Sequence, residues 1–516
     1  MNRVLAVSLA LLMVGVAVAP ASAGALADPS LNRADAASLQ NDAPPDPEND
    51  TVGWVNGYWH NESIDVDQSD GLSPSEREAL VARSMARVEY IRNLEFRENV
   101  SVTVRNRSEY QRQRNDSNTS ARFDAWNNQV WEAMLVVGEN ADANEVLDSL
   151  YGGSVAGYYA PGTDELVVVS ADGELTINGA TLVHELTHAL QDQYHNLSAP
   201  RFSAATQDGD LAASGIVEGE AGYVEARYDE RCGEAWSCVD SPASGGGSMP
   251  ANYGMYLTIY QPYSDGPAYV DALRERGGWA AVNESMMAPP NSTEQTIHDT
   301  AEKPVEVEFT DTARDGWERF PEQGENGADT LGEASVFAGF WYQSQAYDAG
   351  IVDTSRLGAA SGPYDTYNYS APPSAGWAGD GVLPYRNNDT VENGYVWVTR
   401  WDTAEDAREF ERAYLDALDT HGATEVANDT YVVPGGDFAD AFHVQRTDTR
   451  VRIVNGPSVG AVNDIRPDTE PAGNTTLEPI PTSTTASGPT PGFGALAALA
   501  AVLMLSVYRL ARGDSR

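Results

Sequence analysis

Residues 181–193 read Thr-Leu-Val-His-Glu-Leu-Thr-His-Ala-Leu-Gln-Asp-Gln, placing His184 and His188 four apart with Glu185 beside the first. On a helix, residues four apart share a face, about 6 Å apart at the backbone. Two imidazoles so placed both reach one ion about 2 Å from each ring nitrogen. Glu185 is offset from that pair and addresses a water rather than the ion, which is the mechanical content of a His-Glu-x-x-His helix. Composition alone predicts roughly 0.01 such occurrences in a chain like this. The competing reading is an ordinary amphipathic helix whose histidines only pack.

A zinc ion (Zn2+) held by two histidines needs a third protein ligand and an open position. The segment Ile-Val-Glu-Gly-Glu-Ala-Gly-Tyr-Val-Glu offers Glu218 and Glu220. Two residues apart, they cannot share a helix face, so only one is the ligand. Glu218 is the choice, because Ala221 and Gly222 follow it at three and four residues and let its helix come close to the histidine helix. Glu220 is left as a second layer or a surface charge. Asp192, four after His188, is placed to orient that imidazole or is simply solvated. Tyr223, Tyr228 and His298 are candidate oxyanion donors, with nothing in the sequence to choose among them. Glu165–Ser170 is positioned to bind an extended peptide as an added strand, or is a plain core strand.

The two ends read as addresses. Residues 1–23 carry one Arg, an apolar run and the close Ala21-Ser22-Ala23, the pattern of a secretory signal peptide. A retained anchor is the alternative, though the run is short for a span. Residues 24–70 are poor in apolar runs and read as a disordered arm. The body spans 71–455 as an α+β domain. It starts with a capping box at Ser73-Pro74-x-Glu76, and helices are expected near 178–195 and 208–230, with a Gly/Ser/Pro-rich break at 240–250. Residues 456–490 are rich in Thr, Ser and Pro and read as a stalk. Within 491–516, an apolar run from Phe493 to Tyr508 is followed by Arg509, Arg512 and Arg516, the order of a stop-transfer helix.

The 77 acidic and 32 basic residues leave a charge of −45. Such a field argues against nucleic acid and anionic membrane surfaces as partners. The acids are spread along the chain, which suits a folded surface screened by high salt. Sequons at Asn61, Asn99, Asn106, Asn115, Asn118, Asn196, Asn283, Asn291, Asn368, Asn388, Asn428 and Asn474 fit an exported glycoprotein. Cys232 and Cys238, with five residues between them, read as a disulfide loop outside the cell, or less readily as a metal pair.

The tail order of stalk, Pro491-Gly492-Phe493, apolar helix and arginines resembles the PGF-CTERM sorting signal of archaeal surface proteins. That resemblance implies a sorting enzyme of the archaeosortase type as a partner, cell-surface localisation, and a membrane anchor that is either the helix or a lipid replacing it. His-Glu-Leu-Thr-His followed by Glu-Gly-Glu-Ala resembles the gluzincin branch of zinc metallopeptidases, whose second helix supplies a Glu ligand at the position of Glu218. Over roughly residues 75–450 the chain is similar to zincin-like surface proteins of haloarchaea, through Val88–Phe96, Gly157–Val169, Thr181–Leu197, Val217–Tyr228, Pro289–His298 and Gly376–Tyr385. The resemblance implies a zincin-like fold, with a small sheet beside the histidine helix and a mostly helical second lobe. It also implies a surface metallopeptidase with a peptide or protein substrate. A non-catalytic envelope or adhesion protein keeping that fold is the alternative. The retained Glu185 favours the enzyme. A glycan-binding module, the third class, finds no regular aromatic spacing.

Overall fold

The protein is described by a computed structural model covering residues 45–115, 119–154, 157–170, 175–239, Pro250, 252–360 and 362–469. The expected signal peptide, most of the 240–250 break, Asn118, Asn474, the stalk beyond 469 and the PGF-CTERM segment lie outside those residues. In chain order the elements are β1 (Trp54–Val55), β2 (Tyr58–Trp59), α1 (Pro74–Arg92), β3 (Ser101–Asn106), α2 (Arg107–Asn115), α3 (Ala121–Ala133), α4 (Ala143–Ser154), β4 (Gly157–Ala160), β5 (Glu165–Ser170), α5 (Gly179–His195) and α6 (Gln207–Asp229). They continue with α7 (Tyr253–Ser264), α8 (Gly266–Met287), α9 (Thr293–His298), β6 (Trp317–Arg319), α10 (Gly332–Ala346), β7 (Trp377–Asn387), β8 (Asn393–Trp401), α11 (Ala404–Thr420), β9 (Thr424–Ala427), β10 (Thr430–Val432), β11 (Ala441–Thr447), β12 (Arg450–Gly456) and α12 (Val459–Ile465). The fold is α+β, as expected.

Two sheets organise it. The smaller has the order β3-β5-β4, with β3 parallel and β4 antiparallel to β5. The larger has the order β6-β7-β8-β12-β11-β10-β9, antiparallel throughout. Its central strands are apolar on both faces. Tyr395 and Trp397 of β8 face a core shared with α3, α7, α10 and α11, while Val396 and Val398 face a second core built with α12. An unbroken apolar run is what a strand buried on both sides requires.

Residues 45–70 are not the disordered arm that their composition suggested. β1 and β2 form a hairpin with Val55 buried. Buried polar groups of α1 hold its backbone: Glu89 Oε2 accepts the Gly53 N–H (2.9 Å), and Arg87 Nε donates to the His60 carbonyl (2.9 Å). Hydrogen bonds to neighbouring side chains thus replace the apolar burial that the segment lacks. The body also runs past 455, because α12 packs Val462 and Ile465 under the larger sheet. The first residues of the expected stalk therefore belong to the fold. Among the described residues, no helix is long and apolar enough to cross a membrane.

α6 joins the two halves. Its first N–H groups are taken by Asp329 Oδ1 (from Gln207, 2.7 Å) and the Thr330 carbonyl (from Asp208, 2.9 Å), beside the bridge of Asp329 to Val382 of β7.

Candidate metal centre

α5 begins where the Asn178 side chain accepts the N–H groups of Ala180 and Thr181, and ends at Asn196 in the left-handed conformation. Between these caps, Leu182, Val183, Leu186, Ala189 and Leu190 recur on one face and are buried with α1 and β5. The remaining face turns His184, Glu185 and His188 toward α6, and none of the three is more than 3% exposed.

His184, His188 and Glu218 form a buried group able to hold a metal. His184 Nε2 lies 3.2 Å and His188 Nε2 3.3 Å from the same oxygen, Glu218 Oε2. Ligands on a tetrahedral ion with bonds near 2.1 Å sit about 3.4 Å apart, so each histidine stands from Glu218 at the spacing such an ion demands.

The far nitrogens explain why the rings face this way. His184 Nδ1 is 2.9 Å from Glu225 Oε2. His188 Nδ1 is 2.9 Å from Gln191 Oε1. The two amide hydrogens of Gln191 go to the Val217 carbonyl and to Glu220 Oε2, so its oxygen must face the ring. The Nδ1 atoms therefore donate, and both Nε2 lone pairs are free for an ion. Glu220 is held in turn by an ion pair with Arg92, whose guanidinium lies over Trp279 at 3.9 Å.

Burial alone would raise the Glu218 carboxyl, but the two imidazoles hold it down at about 2. Burial opposes charge on His184, yet Glu218 and Glu225 bring it up to about 10. Glu185 is pushed up to about 7 by burial, against the pull of His188 and His184. Its Oε2 accepts the Tyr159 N–H of β4 (2.7 Å), while Oε1 is buried without a partner.

Several expectations change. Asp192 does not orient His188: its Oδ2 accepts the Tyr159 hydroxyl (3.0 Å) and its Oδ1 the Leu197 N–H (2.6 Å). Gln191, one position earlier, does that work. Glu220 is buried and reaches His188 through Gln191, so it is no surface charge. Tyr223 packs against Trp279 and Tyr364. Tyr228 sits with Arg87 and Trp236, its hydroxyl over Gly179. His298 donates to Glu333 (2.9 Å) on α10. These three are not brought to the metal ligands. Gly222 faces Pro267 of α8, not α5. β5 is paired on both edges and cannot receive a peptide; β4, with one edge unpaired among the described strands, can. Cys232 and Cys238 are joined by a disulfide. Asn61, Asn99, Asn106, Asn196, Asn291, Asn388 and Asn428 are exposed. Asn368 is half-buried, and so is Asn283, whose side-chain oxygen accepts Arg92 Nη2. Sequence reasoning missed Glu225 and Gln191. The former stands seven residues, two helical turns, after Glu218, and that spacing was the available signal.

The family model of a domain of unknown function (DUF8575) matches residues 318–466, the larger sheet with α10 to α12 and not the histidine site. No curated protein and no solved structure matches the chain.

Proposed function

We propose that His184, His188 and Glu218 hold zinc and that the protein is an exported, surface-anchored zinc metallopeptidase with a zincin-like fold. Its substrates on this reading are peptide bonds of extracellular or envelope proteins. The observation that carries the reading is Glu185 Oε1, a buried carboxylate oxygen with no partner, beside three converging ligands, two of them histidines whose outer nitrogens are already committed. An unpaired buried oxygen is costly unless a ligand meets it.

Bound zinc would polarise the scissile carbonyl and acidify the attacking water. Glu185 takes that water's proton at Oε1 and later gives it to the leaving amine; a carboxyl near 7 suits both transfers. The Tyr159 N–H holds Oε2, so the proton-carrying oxygen keeps its aim. Tyr159 and Gly157 fall on the same edge of β4 by the alternation of an antiparallel ladder. A substrate strand beside Gly157 would run past Glu185. Glu225 and Gln191 fix the imidazoles.

The test compares the full chain with Glu185→Gln in high salt, measuring bound zinc and cleavage of a broad peptide library. Zinc in both with cleavage only by the parent supports the proposal. No zinc in either removes the metal site, and zinc without cleavage in the parent removes the peptidase.

A further inference from the structure

A second cluster of acids lies far from the histidines. Glu132 ends α3, Glu139 lies in the loop after it, and Asp440 immediately precedes β11. Carboxylate oxygens of the three lie within 4.8 Å of one another. Glu132 is 2% and Asp440 4% exposed, while Glu139 opens the cluster to solvent. The charges acting most strongly on Glu132 are those of Glu139 and Asp440; on Asp440 they are those of Glu139 and Glu392. Among the described residues none of the three is paired to a cation.

Three buried oxygens, one of the cluster and two of the amides that donate to it, lack a hydrogen-bond donor. Glu132 and Asp440 each share a side-chain hydrogen bond with Glu139, and Glu132 Oε1 is buried with no other donor. Gln129 donates its amide to Glu132 Oε2, and Asn455 of β12 donates its amide to Asp440 Oδ2 (2.7 Å). The carbonyl oxygens of both amides are buried and unpartnered as well. Turning either amide over brings its oxygen to the carboxylates. The backbone pins the two walls together: the Glu139 N–H donates to the Asp437 carbonyl (2.8 Å), and a Cβ on Gly138 would stand 2.3 Å from that oxygen.

We infer that Glu132, Glu139 and Asp440, completed by the amide oxygens of Gln129 and Asn455, bind a calcium ion. The donors are all oxygen, as a hard cation prefers, and one ion with bonds of about 2.4 Å reaches carboxylate oxygens at this separation. Glu132 precedes the segment matched by the family model, whereas Asp440 and Asn455 lie inside it. The ion would therefore tie α3 to the larger sheet.

The experiment uses full-length protein, stripped by chelator and resupplied with zinc alone, in high salt. Thermal unfolding and calorimetric titration are followed with calcium chloride and, separately, magnesium chloride. Calcium is expected to bind a saturable site and raise the unfolding midpoint, with magnesium the weaker. Glu132→Gln and Asp440→Asn should lose the calcium-dependent rise, and in calcium-free buffer should melt no lower than the parent because repulsion is relieved. Glu302→Gln, in the other acidic cluster of Glu294, Glu302 and Asp402, should keep the rise. A parent midpoint indifferent to calcium, or a rise abolished by Glu302→Gln and kept by Glu132→Gln, overturns the assignment.

Discussion

The histidine half and the sheet half bury charge in opposite ways. Around α5 and α6 buried polar groups hand on to one another: His188 to Gln191, Gln191 to Glu220, Glu220 to Arg92. In the larger sheet, Asp380 is buried with no cationic partner among the described residues. It accepts the N–H groups of Leu331 and Gly332 at the start of α10 and the indole N–H groups of Trp377 (3.1 Å) and Trp397 (2.8 Å). The first arrangement converges three side chains on a position where a metal ion could be held. The second closes on itself, and its anion serves a helix N-terminus and two rings. Around Glu185 the polar burial leaves one oxygen over, whereas around Asp380 both carboxylate oxygens are consumed.

Substitutions can break this contrast. Glu185→Gln should lower peptide turnover by about 10³-fold or more while zinc content stays at the parent level, read by turnover and metal analysis on one preparation. Asp380→Ala should do the reverse. Four donors lose their acceptor, so stability falls by about 3 kcal/mol in a denaturant titration, and zinc bound per folded molecule does not change. Glu225→Ala and Gln191→Ala should each weaken zinc binding by about 10- to 100-fold, measured by competition with a chelating dye. An equal loss from substituting Asp192 would return the orienting role to that residue.

The last effect concerns pH. Asp208 and Asp329, at the start of α6, are each pushed up to about 7 by burial. Unfolded, they titrate near 4. The folded protein therefore holds protons that the unfolded chain releases between those values. The stability they confer is complete below about pH 4 and disappears as pH rises through 7, at up to about 1.4 kcal/mol per pH unit for each group. The denaturation midpoint at constant salt should be higher at pH 5 than at pH 8, and Asp208→Asn should flatten that slope.

How far these features could be read from the chain depended on sequence distance. The spacing of His184 and His188 is fixed by one helix, so their pairing was legible, and α5 and α6 fall within a residue or so of the expected limits. Glu218 was legible because helix geometry allowed only one of Glu218 and Glu220, and small Ala221 and Gly222 follow Glu218 on its face, although Gly222 meets Pro267 and not α5. What supports them was not. Arg92 meets Glu220 across 128 residues and Tyr159 meets Glu185 across 26. Several segments that carried only a resemblance now have work: Val88–Phe96 supplies Glu89 and Arg92, Gly157–Val169 supplies Tyr159, and Gly376–Tyr385 supplies Asp380. The arm at 45–70 was misread because composition counts apolar residues and is blind to buried arginines waiting for a backbone.

Glu218, Gly219 and Glu220 are consecutive, and successive side chains on a helix point about 100° apart. The first meets the imidazoles and the third meets Gln191 and Arg92. Between them Gly219 admits α8, where a Cβ would stand 2.4 Å from the Gly266 carbonyl. Three neighbours are thus addressed by one stretch of helical phase. A single residue inserted or deleted between the start of α6 and Glu218 would turn all three to the wrong partners at once. Length variation in this region should therefore be confined to the loop before Thr206, leaving the eleven positions from Gln207 to Val217 fixed in number.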